Sequence, residues 1–303
     1  MTPVLRRYLQ LDVFAQSPGA GNPLGVVFDA AGMDAASMQA FAAWTNLSET
    51  IFLLPPQSAA DYRVRIFTPR QELPFAGHPS VGAAWAALDG GIVARTVATL
   101  TQECAAGLLP VRIETNNAHR SVHVRAPRAT PFQFDATATA PYLAAAIRGL
   151  SLGAQAPALW SNGPAWWLVE LADEQAVREL QPDLAAIAAL TIASGAVGLA
   201  VYGRTQDGPN DHQLVVRAFC PADNIPEDPV TGSANACIAA LLAQAGSLPG
   251  SGGRYRASQG REVGRDGIVE VAGDADGNVW IGGEVQRVIE GSVVWPDTMP
   301  ERT

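Results

Sequence analysis

The stretch AGHPSVGAAWAAL, Ala76–Leu88, returns in altered form as TGSANACIAALLA, Thr231–Ala243. Each reads as a loop entering a helix, with a glycine at the entry followed by a run of small residues. Gly82, Ala83, Ala84, Ala86 and Ala87 in the first, and Ala234, Ala236, Ala239 and Ala240 in the second, permit close approach by neighbouring backbone. Both helices are therefore expected to run through the middle of a strongly curved sheet.

Working outward, the two halves keep echoing each other in order. GNPLGVVFD from Gly21 matches NGPAWWLVEL from Asn162, TNLSETIFLL from Thr45 matches TIASGAVGLA from Thr191, and VRIFTP from Val64 matches VRAFCP from Val216. The offset rises from 141 through 146 and 152 to 155, as a duplication with small insertions requires. Alternating segments such as YRVRIF from Tyr62, SVHVR from Ser121 and VWIGGEV from Val279 suit strands. The expected class is α+β: two pseudo-symmetric domains, each a curved, mainly antiparallel sheet or barrel around a central helix. The boundary falls where Pro127 and Pro131 break the pattern, giving domains of 1–127 and 128–288, with the segment from about 289 to 303 packing back on the first. Pseudo-symmetry would bring the two helix N-termini together across a cleft.

Composition removes several function classes. Of the 303 residues, 48% are apolar and 16% charged, a balance suited to folded domains. The net charge of -9 lacks the positive field of a nucleic-acid binder. All 20 basic residues are arginine, so Schiff-base chemistry, a pyridoxal phosphate anchor and a phosphate loop have no amine to use. Cys104, Cys220 and Cys237 form neither a CxxC pair nor a zinc spacing with the histidines, and no metal or disulfide is expected. Ala185–Val201 is interrupted by Thr191, Ser194, Gly195 and Gly198, so it reads as a core helix running into a strand and not as a membrane span. Gln10 and Asp12 break any early apolar run, and a cytoplasmic protein is expected. DADGN, Asp274–Asn278, resembles a calcium loop, but Val285 stands where the bidentate acid belongs and a hairpin turn is expected.

The entries of the two small-residue helices offer backbone N–H groups and positive dipole ends suited to a carboxylate, at Gly77 and His78 and again at Gly232 and Ser233. Plain turn and capping roles are the alternative. Glu49 precedes the apolar run Ile51–Leu54, and its partner in the letter match is Gly195, so the acid occurs in one half only. A carboxylate at a strand edge facing a partly dry cleft can have its pKa raised and shuttle protons near neutral pH. Asp228 belongs to the three-residue insertion before the second helix, either as a further carboxylate of the site or as a turn residue before Pro229. His78 is an acid, a group that orients a carbonyl, or a helix cap. His119, His123 and His212 lack a comparable setting.

NLSETIF, FTP followed by AGHPSVGAA, and above all EDPVTGSA resemble the phenazine biosynthesis PhzF-like family, and YLQLDVF, GNPLGVVF and SQGREVG extend the likeness over nearly the whole chain. The resemblance implies the diaminopimelate epimerase-like fold of two similar domains with an active site between them, no cofactor, and a homodimer. It implies that Glu49 takes a proton from carbon and returns it elsewhere, assisted by His78, Asp228 and Ser233, with Gly77, Gly232, Asn22 and Ser48 as further substrate-binding positions. In related epimerases two cysteines work from opposite faces; the matching positions here are Ala76 and Thr231, which disfavours a two-thiol racemase. The expected substrate is a small carboxylic acid, with dihydro-hydroxyanthranilate-like acids as candidates. The alternatives are an epimerase, hydrolysis with Asp228 and His78 activating water, and a small-carboxylate binding protein without turnover.

Overall fold

The computed structural model describes residues 3–116, 119–205 and 211–299. Its contacts divide the chain into two compact units, Met1–Arg125 with Gly282–Thr303, and Ala126–Ile281. The return to the first unit comes at Gly282, ahead of the residue near 289 read from the sequence, because the crossing lies inside one unbroken strand, Val279–Pro296, and no turn marks it.

In the first unit, Pro3–Val13 pairs antiparallel with both the C-terminal strand and Asn22–Val27. Asn22–Val27 runs parallel to Glu49–Leu54, which pairs antiparallel with Tyr62–Phe67. Tyr62–Phe67 is parallel to Thr99–Cys104, followed by the antiparallel strands Gly107–Asn116 and His119–Arg125. The last of these pairs back onto the C-terminal strand, so the sheet closes into a barrel. Parallel neighbours need crossover connections, and the two in this unit are helical. Helix Ala35–Thr45 buries only Ser37, Met38, Phe41 and Ala42, whereas helix Gly77–Asp89 buries every residue from Gly77 to Leu88 except Trp85. Small side chains decide which crossover goes inside: a Cβ on Gly82 would stand 2.3 Å from Leu24 Cδ2.

The second unit repeats this grammar. Ala158–Ser161, Ala165–Glu170, Gly198–Arg204, Leu214–Cys220, Arg254–Gln259 and Gly267–Gly273 pair in the alternation antiparallel, parallel, antiparallel, parallel, antiparallel. Helix Leu184–Ser194 spans one parallel crossover, running into strand Gly198–Arg204 as expected, and helix Gly232–Gln244 spans the other with its small-residue face buried. DADGN is a turn: the Asp274 carboxylate accepts from the N–H groups of Asp276 and Asn278, the Asn278 amide and the Trp280 indole, which leaves it little capacity for a cation.

Register corrects two alignments of letters. Leu24 pairs with Glu49 where Trp166 pairs with Gly198, and Thr50 pairs with Phe67 where Leu199 pairs with Phe219. The structural counterpart of Glu49 is therefore Gly198, not Gly195. Gly195 is instead the left-handed C-cap of its helix, the place held by Asn46 in the first unit. A side chain at Gly198 has no room, because its Cβ would lie 2.4 Å from Trp166 Cζ3 and 2.6 Å from the Phe219 carbonyl oxygen. The second unit is thus closed to an acid at this point. Likewise, Ala218 opposes Asp228 where Ile66 opposes Leu73. The three-residue insertion consequently lies in the hairpin turn around Pro221–Asp223, and Asp228 is a strand residue replacing Leu73.

Candidate active site

In the first unit, parallel pairing sets the starts of strands Asn22–Val27 and Glu49–Leu54 side by side, next to the entry of the buried helix. Asn22, Ser48, Glu49, Gly77 and His78 come from these segments. The Ser48 hydroxyl donates to Asn22 Oδ1 at 3.2 Å, and His78 Nε2 lies 3.5 Å from Glu49 Oε2. Glu49 keeps only 17% of its side chain exposed, and Oε2 has no hydrogen-bond partner among the described residues. Burial disfavours its charged form and pushes its pKa up to about 7, against a smaller downward pull from the Ser48 hydroxyl.

Asp12, a residue the sequence reading passed over, shapes the approach to Asn22. It is buried, and its Oδ2 accepts the backbone N–H groups of Gly19 and Gly21 at 2.7 and 3.1 Å. Only glycine fits at 21, where a Cβ would lie 2.2 Å from the Val13 carbonyl oxygen. The one sequence signal was the glycine cluster before Asn22.

Asp228, Gly232 and Ser233 group separately in the second unit, around the entry of helix Gly232–Gln244. Trp166 Nε1 donates to Ser233 Oγ at 3.1 Å and Asn162 Nδ2 to the Ser233 carbonyl at the same distance. The Ser233 hydroxyl, used as an acceptor there, still has its own hydrogen to give. The helices begin at N-caps Ala76 and Thr231, and neither side chain caps its helix. These are the two positions matched with epimerase cysteines, and neither carries a thiol. The Cys104 and Cys237 thiols are pushed up by burial. His119 is exposed and bonded to Glu284, whereas His212 is buried beside Asp211.

No group of three or more His, Cys, Asp or Glu suited to a metal occurs among the described residues, and no helix among them is long and apolar enough to cross a membrane. A cavity of about 170 Å³ in the second unit, bordered by Arg148, Leu150, Asp183, Ile187 and Leu199, includes none of the candidate residues.

The family model described as PhzC-PhzF, phenazine biosynthesis-like protein, matches residues 11–291. The chain belongs to this family. Among the relatives, an "Uncharacterized isomerase" of Deinococcus radiodurans is 34% identical over 97% of this chain and 96% of its own length. The trans-2,3-dihydro-3-hydroxyanthranilate isomerase of Pseudomonas aeruginosa is 34% identical over 86% of this chain and 88% of its own. The crystal structure of the Bacillus anthracis phenazine biosynthesis protein of the PhzF family superposes with a TM-score of 0.79 at 27% identity, covering 96% of this chain and 99% of that one. The fold is the α+β architecture shared by PhzF proteins and the proline and diaminopimelate epimerase-like enzymes. The chain is an enzyme of the isomerase class.

Proposed function

We propose that the chain is a cofactor-independent isomerase that moves a proton between carbons of a small unsaturated carboxylic acid, with Glu49 as its one acid/base group. The observation that carries this reading is the Glu49 carboxyl itself: largely withdrawn from solvent, pushed up to about 7, with an unsatisfied oxygen and the His78 ring 3.5 Å away. Near neutral pH such a group exists in both protonation states, as a shuttle must. The carboxylate takes a proton from an activated C–H, and the bond's electron pair enters the conjugated system. The resulting carboxylic acid gives the proton to a carbon further along, and the double bonds shift. Nothing is oxidised or reduced, and one group on one face suffices for a 1,3 or 1,5 shift.

His78 and Asp228 assist the transfer in this reading. The entries at Gly77 and Gly232, with Ser233, Asn22 and Ser48, orient the substrate carboxylate and stabilise developing enolate-like charge, where a well-placed donor contributes roughly 3 to 4 kcal/mol. Epimerisation by two bases needs a second base opposite the first, and Ala76 and Thr231 offer none.

The first acid to try is trans-2,3-dihydro-3-hydroxyanthranilate, the compound named for the Pseudomonas relative, followed by other small unsaturated acids. In deuterium oxide the isomerised product should carry deuterium on carbon, through exchange of the Glu49 proton with solvent between its uptake and its return, and in oxygen-18 water it should carry no oxygen-18. Oxygen-18 in the product would favour hydrolysis by Asp228 and His78. Thermal stabilisation by acids with no product or exchange would make the chain a binder.

A further inference from the structure

The segment SQGREVG enters none of the steps above, yet its glutamine is fully buried and makes four hydrogen bonds around Asp228. Gln259 ends strand Arg254–Gln259. Its Oε1 accepts from the Thr231 backbone N–H at 3.0 Å and from Asn235 Nδ2 at 3.1 Å. Its Nε2 donates to the Asp228 carbonyl at 3.0 Å and to Thr231 Oγ1 at 2.9 Å. Gly260 then runs tight against the same loop: a Cβ there would lie 2.6 Å from the Pro229 carbonyl oxygen.

These contacts have one direction only. A backbone N–H always donates and a backbone carbonyl always accepts, so the Gln259 amide cannot flip without setting N–H against N–H and oxygen against oxygen. Nε2 can only donate, and Thr231 Oγ1 must receive it. The threonine hydroxyl's own hydrogen is thereby left for its other neighbour, Asp228 Oδ2, at 2.5 Å. An oxygen that receives a hydrogen bond from a committed donor is favoured as a carboxylate.

We infer that Gln259 and Thr231 are positioning residues that lock the polarity of Asp228, holding its Oδ2 as an acceptor and favouring the carboxylate over the acid. Among the charged groups on neighbouring segments of this unit, Glu227 pairs with Arg217, Glu262 with Arg178, and Asp266 with Arg261. Arg265 stands in the same turn as Gly260. The catalytic meaning rests on the reading proposed above: Asp228 would assist Glu49 as a hydrogen-bond acceptor or by stabilising positive charge, and would not donate a proton from Oδ2. Thr231 thus keeps a chemical task at the N-cap matched with an epimerase cysteine, as a relay and not as a base.

The test needs no substrate. The Asp228 carboxyl is followed by carbon-13 NMR across pH in the full-length protein, in Thr231→Val, which keeps the shape and removes the hydroxyl, and in Thr231→Ser, which restores it. Thr231→Val should raise the Asp228 titration midpoint by about one pH unit, a tenfold weaker acid, and Thr231→Ser should return it to near the wild-type value. Gln259→Met should move it in the same direction as Thr231→Val, with amide spectra confirming that each variant is folded. An unchanged midpoint in Thr231→Val, or an equal rise in Thr231→Ser, overturns the inference. Neither result bears on whether Glu49 moves the proton, which is read from isotope exchange.

Discussion

Glu49→Gln loses about 10²- to 10⁴-fold in turnover, the range expected when a general acid/base is removed, while the fold becomes more stable at alkaline pH. The activity loss follows because the amide neither takes nor returns a proton. The stability gain follows from linkage. The Glu49 pKa rises from 4.5 to about 7 on folding, so between these values the folded chain holds a proton that the unfolded chain has released. Stability from this group is whole below pH 4.5 and is lost as pH rises through about 7. The full loss is on the order of 3 kcal/mol. Gln carries no such penalty. Urea unfolding at pH 4 and pH 8 should show the variant gaining on the wild type as pH rises, and parallel pH profiles for the two would contradict the assignment.

Glu227→Gln should cost about 3–5 kcal/mol, because it strands a buried guanidinium. Arg217 donates through Nε and Nη2 to both Glu227 oxygens at 2.9 and 2.8 Å, and through Nη1 to the carbonyls of Val177 and Leu180. The pair is 6% and 9% exposed, and the guanidinium lies over the Phe219 ring. The duplication supplies its own control. Arg65 makes the same two-pronged bond to Glu72 and lies over Phe67, but the pair is 21% and 35% exposed. Glu72→Gln should cost no more than about 1 kcal/mol, and less in salt. Arg217→Met combined with Glu227→Leu should recover most of the loss, since no buried charge remains. Equal costs at the two sites, measured by denaturant unfolding, would remove burial as the explanation. Glu227 adjoins Asp228, so its loss should also lower turnover.

The order of elements and the buried helices were legible because their signals are local: a glycine entry, small residues and alternating strands each act over a few positions. Glu49, His78, Asn22 and Ser48 fell within those motifs, and the structure brings them together in one unit. Register was less legible. Matching Thr45 with Thr191 aligned letters near helix ends, whereas strand pairing sets Glu49 against Gly198, and only the packing of the Trp166 ring and the Phe219 carbonyl reveals why no side chain stands there. Gln259 reaches Thr231 and Asp228 across 28 and 31 residues, and no periodicity reports contacts that distant. The Arg–Glu pairs were within reach, since VRIF and VRAF carry the same arginine and phenylalanine and each is followed by a matching glutamate. The difference in their burial was not, because it depends on what packs over each pair.

The most direct test of the central claim is the titration of the Glu49 carboxyl by carbon-13 NMR in the unliganded wild-type protein, with Glu49→Gln identifying the resonance. A midpoint near pH 7 is the predicted result. A midpoint near 4.5, the ordinary value for a solvated glutamate, would mean that the carboxyl is fully ionised at neutral pH and unable to hold the proton it is assigned to carry.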